Sequence, residues 1–558
     1  MRIDGKAEGI RQSMSWLHTW TGIALGWLMY VVFFTGTLSY FLDEINLWMK
    51  PELHASVPDA GTAATALAGM QLIAPKATTW TIGLPNERRT TVEASWRVAG
   101  ERATGRAGLK RAELDAATGE QIKPRETRGG SFLYRFHFEL HAMSRDLARW
   151  LVGIATLFMF AAIVSGVITH KKIFTDFFTF RPRKGQRSWL DAHNATAVLA
   201  LPFHFVITFS GLLLLIFTLM PWAIDAAYDG DRQAYAAERR GGQAGAQQAA
   251  RPGGQGGEEG QRGARRRGGD GGHEAAPDLA AALPAMLAQA QQQWPGKPVG
   301  SIIVNRPGRA DATVELREHG SDSLSTRGAA RRLLFSASGK LVEQADAPAP
   351  SVARGIFNVM TATHLGSFAG PVLRWLLFLS GVAGTAMIAT GLVLWVVKRL
   401  PERRKLGRTP WGHRLVEVSN IAVITGLALA TAAYFWLNRL LPADLVQRSG
   451  WEIQGFFIVW LLGLLHAALR PARQAWLEQC LAVSVLYCLL PVLNPLTGGH
   501  GVASAWHFGQ MSLVGFDLAM LAIGLLFAYI ARHLMRRSRL AARAAAGSAP
   551  AAGTQVAP

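Results

Sequence analysis

The sequence predicts a membrane all-α helical bundle of about eight transmembrane helices, the first four forming an internal repeat, with two α+β modules on the outer side of the membrane. Three observations carry this: eight apolar runs almost free of charge, two long intervening segments with strand-turn-strand patterning, and histidines and glycines that recur at matched spacings.

The chain has 558 residues, of which 50% are hydrophobic and 17% charged. That composition suits either several soluble domains or a membrane protein, so the distribution of apolar residues decides. Runs at 17–42, 147–169, 192–224, 373–397, 415–437, 451–469, 476–496 and 511–531 are nearly uncharged, and most reach the roughly 20 residues a spanning helix needs. The seventh has the shortest apolar core. The first is too long for a signal-peptide core and no small-residue cleavage site follows it, so it reads as a retained helix. The two cysteines, Cys480 and Cys488, both fall in the seventh run; they offer no disulfide framework, zinc site or CxxCH attachment motif.

The net charge of +20 does not make a nucleic-acid binder, because the basic residues flank helices instead of gathering on one soluble face. Segment 398–414 holds seven Lys and Arg, segment 171–187 six and the tail after 531 five, while 494–510 has none. By the positive-inside rule the N-terminus, the loops after the second and fourth helices, and the C-terminus are cytoplasmic. The chain then divides into a cytoplasmic N-terminus with the first helix (1–42), a first outer module (43–146), helices two and three with their basic loop (147–224), a second outer module (225–372), a fourth helix (373–400), four additional helices (401–533) and a cytoplasmic tail (534–558).

Within the outer modules, residues 77–98 and 298–317 each read strand, polar turn, strand. Each is followed by a second hairpin, LKRAELDAATGEQI and RRLLFSASGKLVEQ, turning on Thr-Gly or Ser-Gly. The second module also carries a Gly/Arg-rich insert at 230–272, too polar to offset its chain entropy and read as disordered.

The helices repeat as well. His18 precedes Gly36, and His193 precedes Gly211, by the same eighteen residues; Arg149-Trp150 precedes Gly166 as Arg374-Trp375 precedes Gly391, with His141 and His364 just upstream. An ionisable side chain in a spanning helix is costly without a partner or a task. His18, His170 and His193 fall at the cytoplasmic side, His141 and His364 at the outer side, and His204 lies eleven residues into the third helix, roughly 16 Å deep. A lone histidine at a helix end usually makes an interfacial hydrogen bond. The matched set points further, because facing imidazoles can hold both axial positions of a haem iron while Gly22, Gly26, Gly36, Gly166 and Gly211 let a flat ring approach the backbone. On this reading His18 faces His193 and His141 faces His364, with His170 and His204 as alternative ligands or a relay. His413, His466, His500 and His507 read as bundle or loop residues, and Asp517 as a polar contact inside the appended helices.

Segments SGVITHKKIFTDFFTFRP, WLDAHNATAVLALPFHFVITFSG and HLGSFAGPVLRWLLFLSG, with the TGEQI and SGKLV hairpins, resemble the PepSY-associated transmembrane family of bacterial iron-regulated inner-membrane proteins over residues 1 to about 400. The resemblance implies PepSY-like periplasmic modules and a ferrisiderophore reductase of the inner membrane. It implies haem b, two groups on the pairing above, with His18, His141, His170, His193, His204 and His364 as the cofactor-binding set. The acceptor would be a periplasmic ferric siderophore. No dinucleotide or phosphate-binding glycine motif is present, so the electron donor would be a separate cytoplasmic flavoprotein or a membrane quinol. The competing expectation is a non-enzymatic PepSY membrane protein acting as a binding, regulatory or transporter accessory module. The four additional helices and the Gly/Arg insert depart from the family pattern.

Overall fold

The computed structural model describes residues 9–98, 108–169, 180–182, 184–231, 233–234, 278–320, 324–325, 330–346 and 349–547. His170 and nearly all of the 230–272 insert lie outside the described residues.

From the N-terminus the chain forms α1 (Ile10–Ser39), α2 (Leu42–Trp48) and α3 (Thr62–Ile73), then strands β1 (Ala77–Gly83), β2 (Val92–Val98), β3 (Lys110–Leu114) and β4 (Gln121–Ile122). Next come α4 (Gly130–Glu139), α5 (Arg145–Thr169), α6 (Gln186–Leu199), α7 (Leu201–Leu214) and α8 (Leu279–Gln293). A second strand set follows, β5 (Val299–Asn305), β6 (Thr313–Glu318), β7 (Arg332–Ser336) and β8 (Leu341–Ala345). The chain closes with α9 (Val352–Leu365), α10 (Pro371–Lys398), α11 (Trp411–Leu440), α12 (Arg448–Leu469), α13 (Ala472–Leu496) and α14 (Met511–Gly547).

Among the described residues seven helices are long and apolar enough to cross a membrane, and α6 with α7 makes an eighth if that bent pair is one span. The chain is therefore a multi-pass membrane protein. The run at 192–224, read from sequence as one helix, breaks at Ala200 with a bend of 69°. Pro202 supplies the reason, since its ring lacks an N–H and disfavours helical geometry in the residue before it. Large apolar side chains such as Leu157, Leu461, Leu525 and Tyr529 stand exposed along the spans, where lipid covers them.

The molecule has two compact units: one comprises Met1–Pro51, Arg125–Phe205 and Leu377–Pro558, the other Glu52–Pro124 and Val206–Leu376. In the second unit all eight strands form one antiparallel sheet of order β4-β3-β2-β1-β5-β6-β7-β8. Two separate small sheets were the expectation. Instead β1 and β5 pair along Thr79–Gly83 and Ser301–Asn305, with Trp80 opposite Val304 and Ile82 opposite Ile302. Kept apart, each would be an edge strand with a row of unpaired backbone groups, and pairing removes both edges. Alternate residues of the sheet (Trp80, Ile82, Ile302, Val304, Leu316, Phe335) are buried in one core with Leu67 and Met70 of α3 and Leu283 and Met286 of α8. Gly119 in the Thr-Gly turn has φ of +73°, and an added Cβ there would stand 2.2 Å from the Thr65 carbonyl oxygen of α3. Only glycine fits.

In the first unit the four additional helices dock through buried polar contacts. Trp27 of α1 donates its indole N–H to Asn420 of α11 at 2.8 Å, and Asn420 donates to the Leu392 carbonyl of α10 at 3.0 Å. Trp48 of α2 donates to Asp517 of α14 at 2.8 Å, while Asn494 of α13 donates to the other carboxylate oxygen at 3.1 Å. Each such bond satisfies a group that would otherwise be costly away from water.

Candidate functional site

His18 sits in the second and third turns of α1 and is packed against α5. Its Nδ1 lies 2.9 Å from the carbonyl oxygen of Ala162. A carbonyl can only accept, so Nδ1 carries the proton and Nε2 keeps its lone pair. His193 of α6 repeats the arrangement on α10, its Nδ1 lying 2.8 Å from the carbonyl oxygen of Met387. In both cases the carbonyl belongs to the residue four before a glycine on which the ring rests. A Cβ at Gly166 would stand 3.3 Å from His18 Cε1, and one at Gly391 would stand 3.1 Å from His193 Cε1.

The two rings thus arrive at one place by the same device. Their centroids are 6.1 Å apart with planes at 69°. Among the described residues no protein group bonds the Nε2 of either. That separation is close to what two imidazoles span when they bind one metal from opposite sides with bonds of about 2 Å. The bond from Nδ1 to a carbonyl is the usual way a ligand histidine is oriented. Asp191, two residues before His193 in the N-terminal half of α6, is buried and paired with Arg181 at 3.4 Å and Arg187 at 3.3 Å, which fixes that end of the helix.

Both rings line a cavity of about 320 Å³ inside the first unit, walled mainly by apolar and small residues, among them Gly22, Gly26, Met159, Gly166, Ile388 and Gly391. His204 closes its inner end. This residue is fully buried, its ring 6.2 Å from that of Phe33, and neither ring nitrogen has hydrogen-bond geometry with any protein group. A Cβ on Gly384 would lie 3.0 Å from its Nε2. At the opposite end of the lining stand Trp395, Lys398 and Arg399.

The remaining sequence candidates divide. His364, in the last turn of α9 within the second unit, has its Nδ1 3.0 Å from the Ser210 hydroxyl oxygen. His141 lies beyond the end of α4, exposed and stacked on Phe457 at 4.7 Å and 16°. The residue that shares the His18 and His193 device is His137, in the last turn of α4. Its Nδ1 lies 2.7 Å from the carbonyl oxygen of Val32, four residues before Gly36, where a Cβ would stand 2.6 Å from the ring. Burial holds the His137 pKa below the ordinary histidine value, against the opposing pull of the Val32 carbonyl. Sequence reasoning passed over His137 because His141 is the histidine nearest upstream of Arg149, although both miss by two the ten residues from His364 to Arg374; the glycine eighteen residues after His18 was the available signal. Of the histidines after residue 400, His466 is tied to Glu478 and His500 to Gln510, each at 2.8 Å. Among the described residues no three His, Cys, Asp or Glu side chains gather in metal-binding geometry; the donors come as imidazole pairs and singles.

The PepSY-associated TM region family matches residues 15–398 of this chain, a span that runs from within α1 to the end of α10 and includes both histidines of the pair. No curated protein matches the chain.

Proposed function

The chain belongs to the PepSY-associated TM region family, and from that footing we propose that it is a haem-b-containing electron-transfer protein of the bacterial inner membrane that reduces a periplasmic ferric siderophore for iron uptake. The observation that carries this reading is the His18–His193 pair, two neutral imidazoles with locked Nδ1 atoms, open Nε2 atoms and centroids 6.1 Å apart in an apolar cavity.

The residues fit the group. His18 and His193 would hold the iron through their open Nε2 atoms, Gly166 and Gly391 keep the rings against their helices, and the apolar walls would exclude water from the iron's surroundings. Haem bound between such ligands supplies an iron that takes and yields one electron with little rearrangement. His364 and His137 are the outer candidates, with His141 kept as the sequence alternative; His170 and His204 are the remaining members of the set. The orphaned nitrogens of His204, deep in the span, mark a second polar position along the membrane normal. A hydrocarbon core of about 30 Å calls for more than one such centre.

With basic loops inside, the chain runs N-in and C-in, and the eight-stranded sheet lies in the periplasm as two copies of one PepSY-like module related by the helical repeat. Hard oxygen donors hold Fe(III) far more firmly than Fe(II), so one electron suffices to loosen the chelate. The donor is a cytoplasmic flavoprotein or a membrane quinol.

Purified from cells with ample haem, the protein is expected to show a low-spin b-type spectrum, and His18→Ala and His193→Ala each to lose a share of it and to abolish dithionite-primed reduction of a ferric siderophore in proteoliposomes. A colourless wild-type protein would overturn the reading.

A further inference from the structure

The cavity that holds His18 and His193 has an unequal charge at its two ends. Its lining contains two cations, Lys398 and Arg399, and no Asp or Glu. Both cations follow Gly391 on α10, Lys398 by seven residues, which at 1.5 Å per residue places it about 10 Å along the helix from the glycine under His193. His204, near Gly384, stands a similar distance in the other direction. The histidine pair is therefore midway between a buried end and a basic rim.

Arg399 is held in place without being paired to a carboxylate. Arg399 lies over the Trp395 ring at 3.6 Å and donates to the Trp395 carbonyl at 3.2 Å. Lys398 is exposed. Among the described residues no carboxylate comes within ion-pair distance of either; Glu402, one turn further, is the acid whose charge reaches Arg399. Ser15, Thr19 and Asn194 add hydrogen-bonding side chains to the lining. A guanidinium stacked on an indole keeps its planar fork presented for a carboxylate, and two such cations beside an apolar slot favour a ligand with a flat apolar body and an anionic edge.

We propose that Lys398 and Arg399 form an anion-binding rim that takes the carboxylates of the tetrapyrrole seated by His18 and His193, so that its acidic edge faces the Lys398 end of the cavity. This rests on the haem reading above and adds to it the orientation of the group and the residues that set it.

The test titrates the full-length protein, purified in detergent from haem-limited cells, with haemin and with haemin dimethyl ester, in which both carboxylates are neutralised. Wild type is expected to take up both with a six-coordinate spectrum. Lys398→Gln with Arg399→Gln should weaken haemin binding by about tenfold or more, the scale of a lost charge-assisted hydrogen bond, and leave the diester unchanged. Arg399→Lys in the Lys398→Gln background should recover part of the loss. Because Lys398 is exposed, Lys398→Gln alone serves as a variant that folds, and it should show the same selectivity in smaller degree. Equal weakening of haemin and diester, or no weakening of haemin, overturns the rim proposal while the histidine reading stands. If wild type takes up neither porphyrin, or if His18→Ala and His193→Ala leave the bound spectrum unaltered, the haem reading itself falls and the rim with it.

Discussion

The imidazoles of His18 and His193 lie 6.1 Å apart with their planes at 69°, each carried on a glycine of a different helix. The pair is set by helix packing: α1 on α5 fixes one ring, and α6 on α10 fixes the other. A Cβ at either supporting glycine asks the imidazole to give by a few tenths of an ångström, and a branched side chain asks for more. Gly166→Val and Gly391→Val are therefore expected to lower the b-type absorbance per chain severalfold without removing the protein from the membrane. Gly412→Ala, where nothing stands within 4 Å of an added Cβ, is expected to leave it unchanged.

His137 and His141 are four residues apart and have opposite surroundings, one resting on Gly36 with its Nδ1 bonded to Val32, the other exposed on Phe457. If the glycine-and-carbonyl seat marks a ligand, His137→Ala reduces haem content per chain and His141→Ala does not. Pyridine haemochrome quantification of the two purified variants decides it. A loss confined to His141→Ala would restore the assignment made from spacing.

How much of this was legible in the sequence depends on the range of the interaction. Charge-poor runs placed the spans because the bilayer acts on every residue of a run, and the alternation around Trp80, Ile82, Ile302 and Val304 placed the strands because burial acts with period two. The pairing of β1 with β5 joins segments more than two hundred residues apart and leaves no trace in either segment's own pattern. The break at Ala200 was signalled by Pro202, but 192–224 is apolar throughout and reads as one run. Histidine positions were legible only as far as the matched spacings reached. His18 and His193 were brought together as expected, whereas the direction in which His137 points is decided by α4, whose packing no spacing rule contains.

The joined sheet predicts where a proline is tolerated. Ile303 sits in β5 between Thr81 of β1 and Glu315 of β6, so Ile303→Pro removes a ladder donor from a central strand. Val342 lies in edge strand β8 at a register irregularity and is exposed, where a proline costs little. Limited proteolysis of the full chain is expected to cut the Ile303→Pro sheet rapidly and to leave Val342→Pro close to wild type. Equal resistance in both would argue that the two halves fold without needing the β1–β5 seam.

Glu318 makes the eight-stranded sheet sensitive to acid. The Arg331 guanidinium holds its carboxylate with two hydrogen bonds of 2.8 Å, and Lys297 stands 3.6 Å away. These bonds, the Arg331 hydrogen bonds foremost, keep the Glu318 pKa below the ordinary carboxylate value against the opposing effect of burial. A carboxyl whose pKa is lower folded than unfolded binds its proton more readily in the unfolded chain, so its contribution is complete above the unfolded value of about 4.3 and is lost as pH falls through the folded one. Glu318→Gln cannot carry that charge at any pH. The melting midpoint of the wild-type protein should therefore exceed that of Glu318→Gln by a margin that is constant from about pH 7 to about pH 5 and closes as pH falls below the unfolded carboxylate value. A margin that persists unchanged into acid would mean that the pair holds the sheet through shape and hydrogen bonding alone, independently of its charge.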